Sequence, residues 1–198
     1  MLSQPDPGDQ LASAPAVPQN WHGIGDPVAR LQVLVAKAPP MLELATATGV
    51  QPLLPGQVQH IAAHCGNGWR KVFNVYSKLV LALPSQLQPA LAGGLSWQQW
   101  RDRQLLQSQS DCALLFGEAT ALLALQLPPR QQLRLIAGRQ HARALLAAGA
   151  PLTLQWLDDE FAVDVAQRTL VCPYFDYRQL SDRKIARLVA LTAPFAAR

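Results

Sequence analysis

Residues 174–178, Tyr-Phe-Asp-Tyr-Arg, form the densest group of chemically useful side chains in the sequence. Aromatic rings can stack on a planar ligand, a carboxylate accepts hydrogen bonds or a proton, and a guanidinium pairs with an anion. The segment therefore predicts a ligand site with Asp176 as the candidate general base. The binding residues expected beside it are Tyr174, Phe175, Tyr177 and Arg178. The alternative is structural: the rings pack the loop onto neighbouring helices, and Asp176 and Arg178 form an ion pair.

A second candidate group lies on one predicted helix, "GNGWRKVFNVYSKLVLALP" (66–84). Apolar residues recur there at i, i+3, i+4 and i+7, which is typical of an amphipathic helix. Asn67 is expected to cap it and Pro84 to end it. If the amino terminus faces a cleft, its free amides and the Arg70 side chain form an anion site. The binding residues predicted on this helix are Asn67, Trp69, Arg70 and Asn74.

Four short apolar segments are the elements that must position these groups. Residues 29–36, 111–117, 132–138 and 168–175 each have the composition of a buried strand. Helix-forming segments follow the last three directly, which favours βα units. The sequence predicts an α/β three-layer sandwich with a mostly parallel sheet of about four strands, covered by helices on both faces. A further strand at 152–156 is a weaker prediction.

The ends of these predicted strands share one edge of a parallel sheet, whatever the strand order. Ligands of open parallel sheets bind outside the carboxyl ends of the strands, near helix amino termini. Residues 174–178 would lie there, together with the segments that follow the first and third strands. Those segments add Lys37, Arg139 and His141 to the predicted binding residues.

Metal and nucleophile motifs are weak in this sequence. His60 and His64 share a helix face with Cys65 beside them, but no Glu follows His60 and no fourth ligand is evident. A Cys172–His141 nucleophile pair requires adjacent strands, and a buried, inert cysteine is the commoner arrangement. No phosphate-binding loop and no dinucleotide fingerprint follows any strand. We therefore expect neither a metal nor a cofactor.

Composition sets the class of protein. The 198 residues are 49% hydrophobic and only 15% charged, and the net charge of +4 is compatible with phosphate-bearing partners but too small for a dedicated nucleic-acid binder. A proline-rich leader, residues 1–20, is expected to be disordered, and residues 21–198 to form a single α/β domain. Three separated cysteines and the lack of a signal or membrane-spanning segment favour a cytoplasmic protein without a membrane partner.

The order of these segments resembles the uracil-DNA glycosylase superfamily. "VLVAKAPPM" (33–41) is similar to the water-activating loop of that family, "VFNVYSKL" (72–79) to its helix segment, and "TLVCPYFDYRQLS" (169–181) to its last strand and minor-groove loop. However, Ala38 stands where the family has its catalytic Asp, and Cys172 where it has its His. The resemblance implies the scaffold without uracil excision. The long helix and final strand also resemble an uncharacterised bacterial protein family.

These observations leave three hypotheses open. The first is a protein, enzyme or not, that binds a nucleotide or nucleic acid between residues 174–178 and 67–71 on a catalytically divergent glycosylase-like scaffold. The second is a hydrolase or transferase in which Asp176 is the general base and Arg178 or Lys37 steadies an anionic substrate. The third is a protein-interaction module with an unknown partner, which the low charge content favours.

Overall fold

The computed structural model describes residues 22–41, 48–89, 93–126 and 131–196, which form eight strands of one sheet and seven helices. The strands are β1 (His22–Gly25), β2 (Leu31–Val35), β3 (Gly49–Gln51), β4 (Cys112–Phe116), β5 (Leu133–Ala137), β6 (Gln155–Trp156), β7 (Ala162–Asp164) and β8 (Thr169–Cys172). The helices are α1 (Gln57–His64), α2 (Asn67–Ala82), α3 (Trp97–Arg103), α4 (Glu118–Gln126), α5 (Arg139–Ala147), α6 (Asp182–Leu191) and α7 (Ala193–Ala196).

The sheet has the order β3-β1-β4-β2-β5-β8-β7-β6. Its centre, β4-β2-β5-β8, is parallel throughout and contains the four strands that the sequence predicts. The predicted sheet of about four mostly parallel strands is nevertheless wrong in extent. Strand β1 is antiparallel to β4, β7 is antiparallel to β8, and β6 is antiparallel to β7, so the whole sheet is mixed.

Helices cover both faces of the sheet. One face packs against α1, α2, α3 and α6, whose apolar side chains join those of alternate strand residues in the larger core. The other face packs against α4 and α5 through a smaller core of mostly Ala, Leu and Val. The predicted α/β class and its helix-covered sheet are therefore confirmed. Within the described ranges, no helix is long and apolar enough to cross a membrane.

Helix α2 carries four of the predicted binding residues, Asn67, Trp69, Arg70 and Asn74. Its buried residues recur at helical spacing, from Trp69 to Val80, because one side of the helix packs on the sheet. The Tyr76 hydroxyl lies 3.1 Å from the carbonyl oxygens of Leu31 and Ala113 and fixes the helix against β2 and β4. The cap differs from the prediction: Gly66 is the N-cap, and no side chain caps the helix.

The amino terminus of α2 lies at the carboxyl edge of the parallel strands. The Trp69 ring meets the ring of Phe116, the last residue of β4, edge to face with centroids 5.9 Å apart. The first turn of α2 therefore lies beside the end of β4. The proline-rich leader at 1–20 lies outside the described residues.

Candidate functional site

A groove between α1, α2 and α3 is the cavity that collects most of the residues predicted on α2. Its volume is about 530 Å³, within the range of small-molecule sites. We call it the helical groove. Its lining residues are Val58, Gln59, Ala62, Ala63, Gly66, Asn67, Arg70, Phe73, Asn74 and Arg101. The lining combines an apolar floor with amides and two guanidinium groups, so it suits a ligand with both an apolar and an anionic part.

The two arginines of the helical groove are held differently. Arg70 Nε donates to Asn67 Oδ1 at 3.0 Å, one turn earlier on α2, and its side chain is exposed. Arg101 Nη1 donates to Asn74 Oδ1 at 2.6 Å, and its Nε and Nη2 atoms donate to the Asp102 carboxylate at 2.7 and 3.0 Å. Arg101 is thus oriented and largely neutralised, whereas no carboxylate of the described residues forms an ion pair with Arg70. Arg70 is the better anion ligand of the two.

Beside the groove, the loop after β8 forms a second polar group. Lys71 Nζ donates to Asp176 Oδ2 at 2.8 Å, and both side chains are mostly buried, with 16% and 20% exposed. The Lys71 ammonium also lies 5.0 Å from the centroid of the Tyr177 ring, in cation–π contact. Arg178 donates its backbone amide to Asp176 Oδ1 at 2.9 Å. We call Lys71, Asp176, Tyr177 and Arg178 the Lys71 cluster.

The surroundings of Asp176 determine its acid–base character. Burial alone would raise the pKa of its carboxyl, but the hydrogen bonds from Lys71 and from the Arg178 amide, with the Lys71 charge, outweigh burial and lower it. A carboxylate with a lowered pKa and both oxygens engaged is a weak general base at neutral pH. The geometry therefore favours a structural role, and general-base catalysis by Asp176 stays a prediction.

The three aromatic residues of 174–178 differ in how far they are exposed to solvent. Phe175 is fully buried and packs edge to face on Tyr76, with ring centroids 5.8 Å apart. Tyr174 is half-buried against the core, and burial raises the pKa of its hydroxyl. Tyr177 is 52% exposed. Only Tyr177 presents a largely open ring, so the three rings do not form one stacking surface.

Trp69 is another predicted binding residue that is buried in the core. It is 8% exposed and packs on Phe73 and Phe116, with ring centroids 5.9 Å from each. Like Phe175, it is buried among the side chains of the larger core. Both residues help to hold the site in place, and the geometry gives neither of them a face for a ligand.

The residues predicted after the first and third strands lie apart from the groove. Lys37 is exposed beyond β2. Arg139 pairs with Asp159 at 2.9 Å and lies over the Trp156 ring at 5.7 Å. His141 is 8% exposed in the first turn of α5, on the opposite face of the sheet. Burial lowers its pKa despite the nearby Leu34 carbonyl and Glu118 carboxylate, so its ring is neutral at pH 7.

The geometry does not favour a Cys172–His141 pair. Cys172 is fully buried in the larger core, where burial raises the pKa of its thiol well above the usual value, while His141 belongs to the helix layer on the other face. His60 and His64 are exposed on α1 with ring centroids 4.1 Å apart. In the part of the chain that the structure describes, no three His, Cys, Asp or Glu side chains are grouped as metal ligands.

The predicted single cleft is in fact two neighbouring groups. Asn67, Arg70 and Asn74 line the helical groove. Asp176 and Tyr177 contact Lys71 on the adjacent side of α2, and Arg178 reaches this group through its amide bond to Asp176. The sequence did not indicate Arg101, which comes from α3 and contacts Asn74 across 27 positions. No local pattern signals such a contact, because it depends on how α2 and α3 pack.

Comparison with known proteins gives the family of this chain. A family of unknown function, DUF6942, matches residues 22–193, and the chain belongs to that family. No curated protein and no solved structure matches the chain. The expected membership of an uncharacterised family is confirmed at this level, and the resemblance to uracil-DNA glycosylases gains no support from these comparisons.

Proposed function

We propose that the protein binds a small anionic organic ligand of the nucleotide class in the helical groove. The observation that carries the proposal is one cavity of about 530 Å³ whose lining combines two guanidinium groups and three side-chain amides with an apolar floor. A base or other planar group would contact the floor, which includes Phe73 and Ala62. A phosphate would pair with Arg70 at the rim.

The start of α2 supports this assignment of the anionic end. Gly66 and Asn67 line the same cavity, and no side chain caps the sixteen-residue helix that begins there. Uncapped amides and the positive end of the helix dipole add to the Arg70 charge. The cavity and its arginines remain the basis of the proposal, since a helix terminus alone does not define a site.

The glycosylase-like scaffold is part of the proposal, without the excision activity. Cys172, at the position of the family's His, is a buried thiol with a raised pKa, and Ala38 offers no proton acceptor. A nucleotide-sized groove on such a scaffold fits a protein that retains ligand binding after losing the catalytic residues. We expect no release of uracil from uracil-containing DNA.

Titration calorimetry with AMP, ATP and UMP tests the proposal. Arg70→Gln removes a charged hydrogen bond of about 1.5–3 kcal/mol, so it should weaken binding about 10- to 150-fold. Arg143→Gln is the matched control, because Arg143 is exposed on α5, on the other face of the sheet. Ala63→Phe should block the groove, whereas Ala144→Phe, on exposed α5 surface, should not.

Two results would reject the proposal: no binding of any of the three nucleotides at millimolar concentration, or equal binding by wild type, Arg70→Gln and Ala63→Phe. Fluorescence anisotropy with single-stranded, duplex and uracil-containing DNA tests the nucleic-acid form of the hypothesis. Salt-dependent DNA binding that Arg70→Gln weakens would extend the ligand from a nucleotide to a strand.

A further inference from the structure

Two of the four histidines in the chain form a pair on the solvent side of α1. His60 and His64 are both exposed, and their rings lie with centroids 4.1 Å apart and an angle of 30° between the ring planes. Histidines at i and i+4 share one face of a helix, which lets two imidazoles bind the same ion. We call these two residues the histidine pair. Neither of them lines the helical groove or contacts the Lys71 cluster.

A hydrogen bond to the backbone fixes the tautomer of His64. Its Nδ1 atom lies 2.8 Å from the His60 carbonyl oxygen, one turn earlier on the same helix. Because a carbonyl oxygen only accepts, the neutral ring carries its proton on Nδ1, and the lone pair of Nε2 remains available. Metal-binding histidines typically make this second contact, since a carbonyl that accepts from one ring nitrogen orients the other toward the ion.

The ring of His60 is available to the same ion. Within the described ranges, neither of its ring nitrogens has a hydrogen-bond partner. A tetrahedral ion with nitrogen ligands at about 2.0–2.1 Å holds those nitrogens about 3.3 Å apart. The two rings are already close, with centroids 4.1 Å apart, and exposed side chains rotate rapidly. The pair can therefore reach the geometry for chelation without any change in the backbone of α1.

The ligand atoms determine the kind of ion. Two neutral imidazoles suit Cu²⁺, Ni²⁺ and Zn²⁺, whereas Mg²⁺ and Ca²⁺ require oxygen ligands. Cys65 follows His64 but is a poor third ligand, because its side chain packs against the larger core and burial raises the pKa of its thiol. No group of three potential metal ligands occurs among the described residues. The histidine pair therefore leaves the other coordination positions to water or to a second molecule.

We propose that the histidine pair binds one divalent transition-metal ion of the Cu²⁺, Ni²⁺ and Zn²⁺ class, through Nε2 of His64 and one ring nitrogen of His60. Because the bound ion joins two successive turns, it also stabilises the end of α1. Cys65 is the C-cap of that helix, and Gly66 is the N-cap of α2. The ion therefore strengthens the corner between two helices of the helical groove, and its binding does not depend on the proposed nucleotide.

Titration calorimetry of the untagged full chain with the chlorides of Cu²⁺, Ni²⁺, Zn²⁺, Mg²⁺ and Ca²⁺ tests the choice of ion. We expect one transition-metal ion per chain and no binding of Mg²⁺ or Ca²⁺ at the same concentrations. Cu²⁺ should bind most tightly, and its electron paramagnetic resonance spectrum should show coupling to imidazole nitrogen. If none of the three transition-metal ions binds at millimolar concentration, or if Mg²⁺ binds equally well, the proposal is wrong.

Variants of the exposed histidines locate the ion. His60→Gln and His64→Gln should each weaken Ni²⁺ and Zn²⁺ binding at least tenfold, because either change leaves a single imidazole. His22→Gln is the matched control, since it removes a histidine from β1, and Cys65→Ser tests the neighbouring thiol. Both controls should bind the ions as wild type does. Unchanged affinity in the double variant His60→Gln/His64→Gln, or an equal loss in Cys65→Ser, would overturn the proposal.

Hydrogen exchange gives a second readout that does not use affinity. The amides of residues 61–65 lie in the last turn of α1 and its C-cap, so their exchange should slow when Zn²⁺ is added to the wild-type chain. The double variant should show no such slowing. Equal exchange rates in wild-type protein with and without Zn²⁺ would contradict the proposed clamp on α1.

Discussion

The substitution Asp176→Asn distinguishes a structural Lys71–Asp176 pair from a catalytic Asp176. An exposed ion pair contributes about 0.2–1 kcal/mol, whereas removing one partner of a fully buried pair costs about 3–5 kcal/mol. The side chains here are 16% and 20% exposed, so we expect an intermediate loss of about 2 kcal/mol. For a domain of this size, that corresponds to a fall in Tm of about 4–8 °C.

The pair Lys78–Asp182 is the matched control. Its atoms are also 2.8 Å apart, but its side chains are 32% and 79% exposed. Asp182→Asn should therefore cost about 0.5 kcal/mol, measured for both variants by thermal and urea unfolding followed by circular dichroism. Because Lys71→Met removes the unpaired ammonium that Asp176→Asn leaves behind, the double variant should be about 1 kcal/mol more stable than the two single losses predict.

The pH dependence of stability tests independently whether the Lys71–Asp176 pair stabilises the folded protein. The fold lowers the pKa of Asp176 below its ordinary value of 3.8, so the unfolded chain binds the proton more readily. The pair therefore stabilises the protein above about pH 4, and its contribution disappears as the pH falls through the folded-state pKa. A Tm within 1 °C of wild type for Asp176→Asn, with no coupling to Lys71, would refute the structural role and restore the general-base hypothesis.

Two further predictions follow from burial. Phe175→Ala should cost about 3–5 kcal/mol of unfolding free energy, because it removes a fully buried ring from the contact with Tyr76. Tyr177→Ala should cost less than about 1 kcal/mol, because that ring is largely exposed. Equal losses of unfolding free energy in urea would contradict this difference. His141 has a pKa lowered from 6.5 by burial, so its contribution to stability is complete above pH 6.5 and is lost as the pH falls toward the folded-state pKa. Wild-type Tm should drop across that acid range more steeply than the Tm of His141→Gln, and parallel curves would show that His141 does not titrate on unfolding.

The sequence predicted the central strands because each is a continuous apolar run. Strands β2, β4 and β5 are buried at every position, and such runs are visible without knowledge of the fold. The outer strands β1, β3, β6 and β7 have two to four residues, too few to show a detectable period. Strand β6 lies within the weakly predicted segment 152–156, and β1, β3 and β7 were not predicted.

One signal for β1 was present in the sequence. A Cβ atom on Gly23 would lie 2.6 Å from the Leu114 carbonyl oxygen, and one on Gly25 would lie 2.3 Å from that of Cys112. Both glycines therefore let β1 approach β4 closely, and Gly-Ile-Gly with a single apolar residue between them is consistent with that contact. Without the position of β4, however, the same residues are equally compatible with a turn.

The candidate site was only partly predictable, because exposure within an aromatic segment depends on the partner surface. Tyr174, Phe175 and Tyr177 have the same sequence context, but α2 supplies the Tyr76 ring that buries Phe175. The capping box of Ser96 and Gln99, by contrast, does not depend on a partner surface. Its contacts are local, so a Ser-x-x-Gln pattern can be recognised without knowledge of the fold.

Neighbouring residues of α2 have different roles because consecutive side chains are about 100° apart around a helix. Arg70 points to α1 and α3 in the helical groove, whereas Lys71 points to the loop after β8 and is neutralised by Asp176. A charge that is already paired inside the protein stabilises the fold, and an exposed charge without a carboxylate partner remains available to a ligand. Arg70 variants should therefore change binding at constant Tm, and Lys71 variants should change Tm while nucleotide affinity stays the same. The reverse result would place the ligand in the Lys71 cluster.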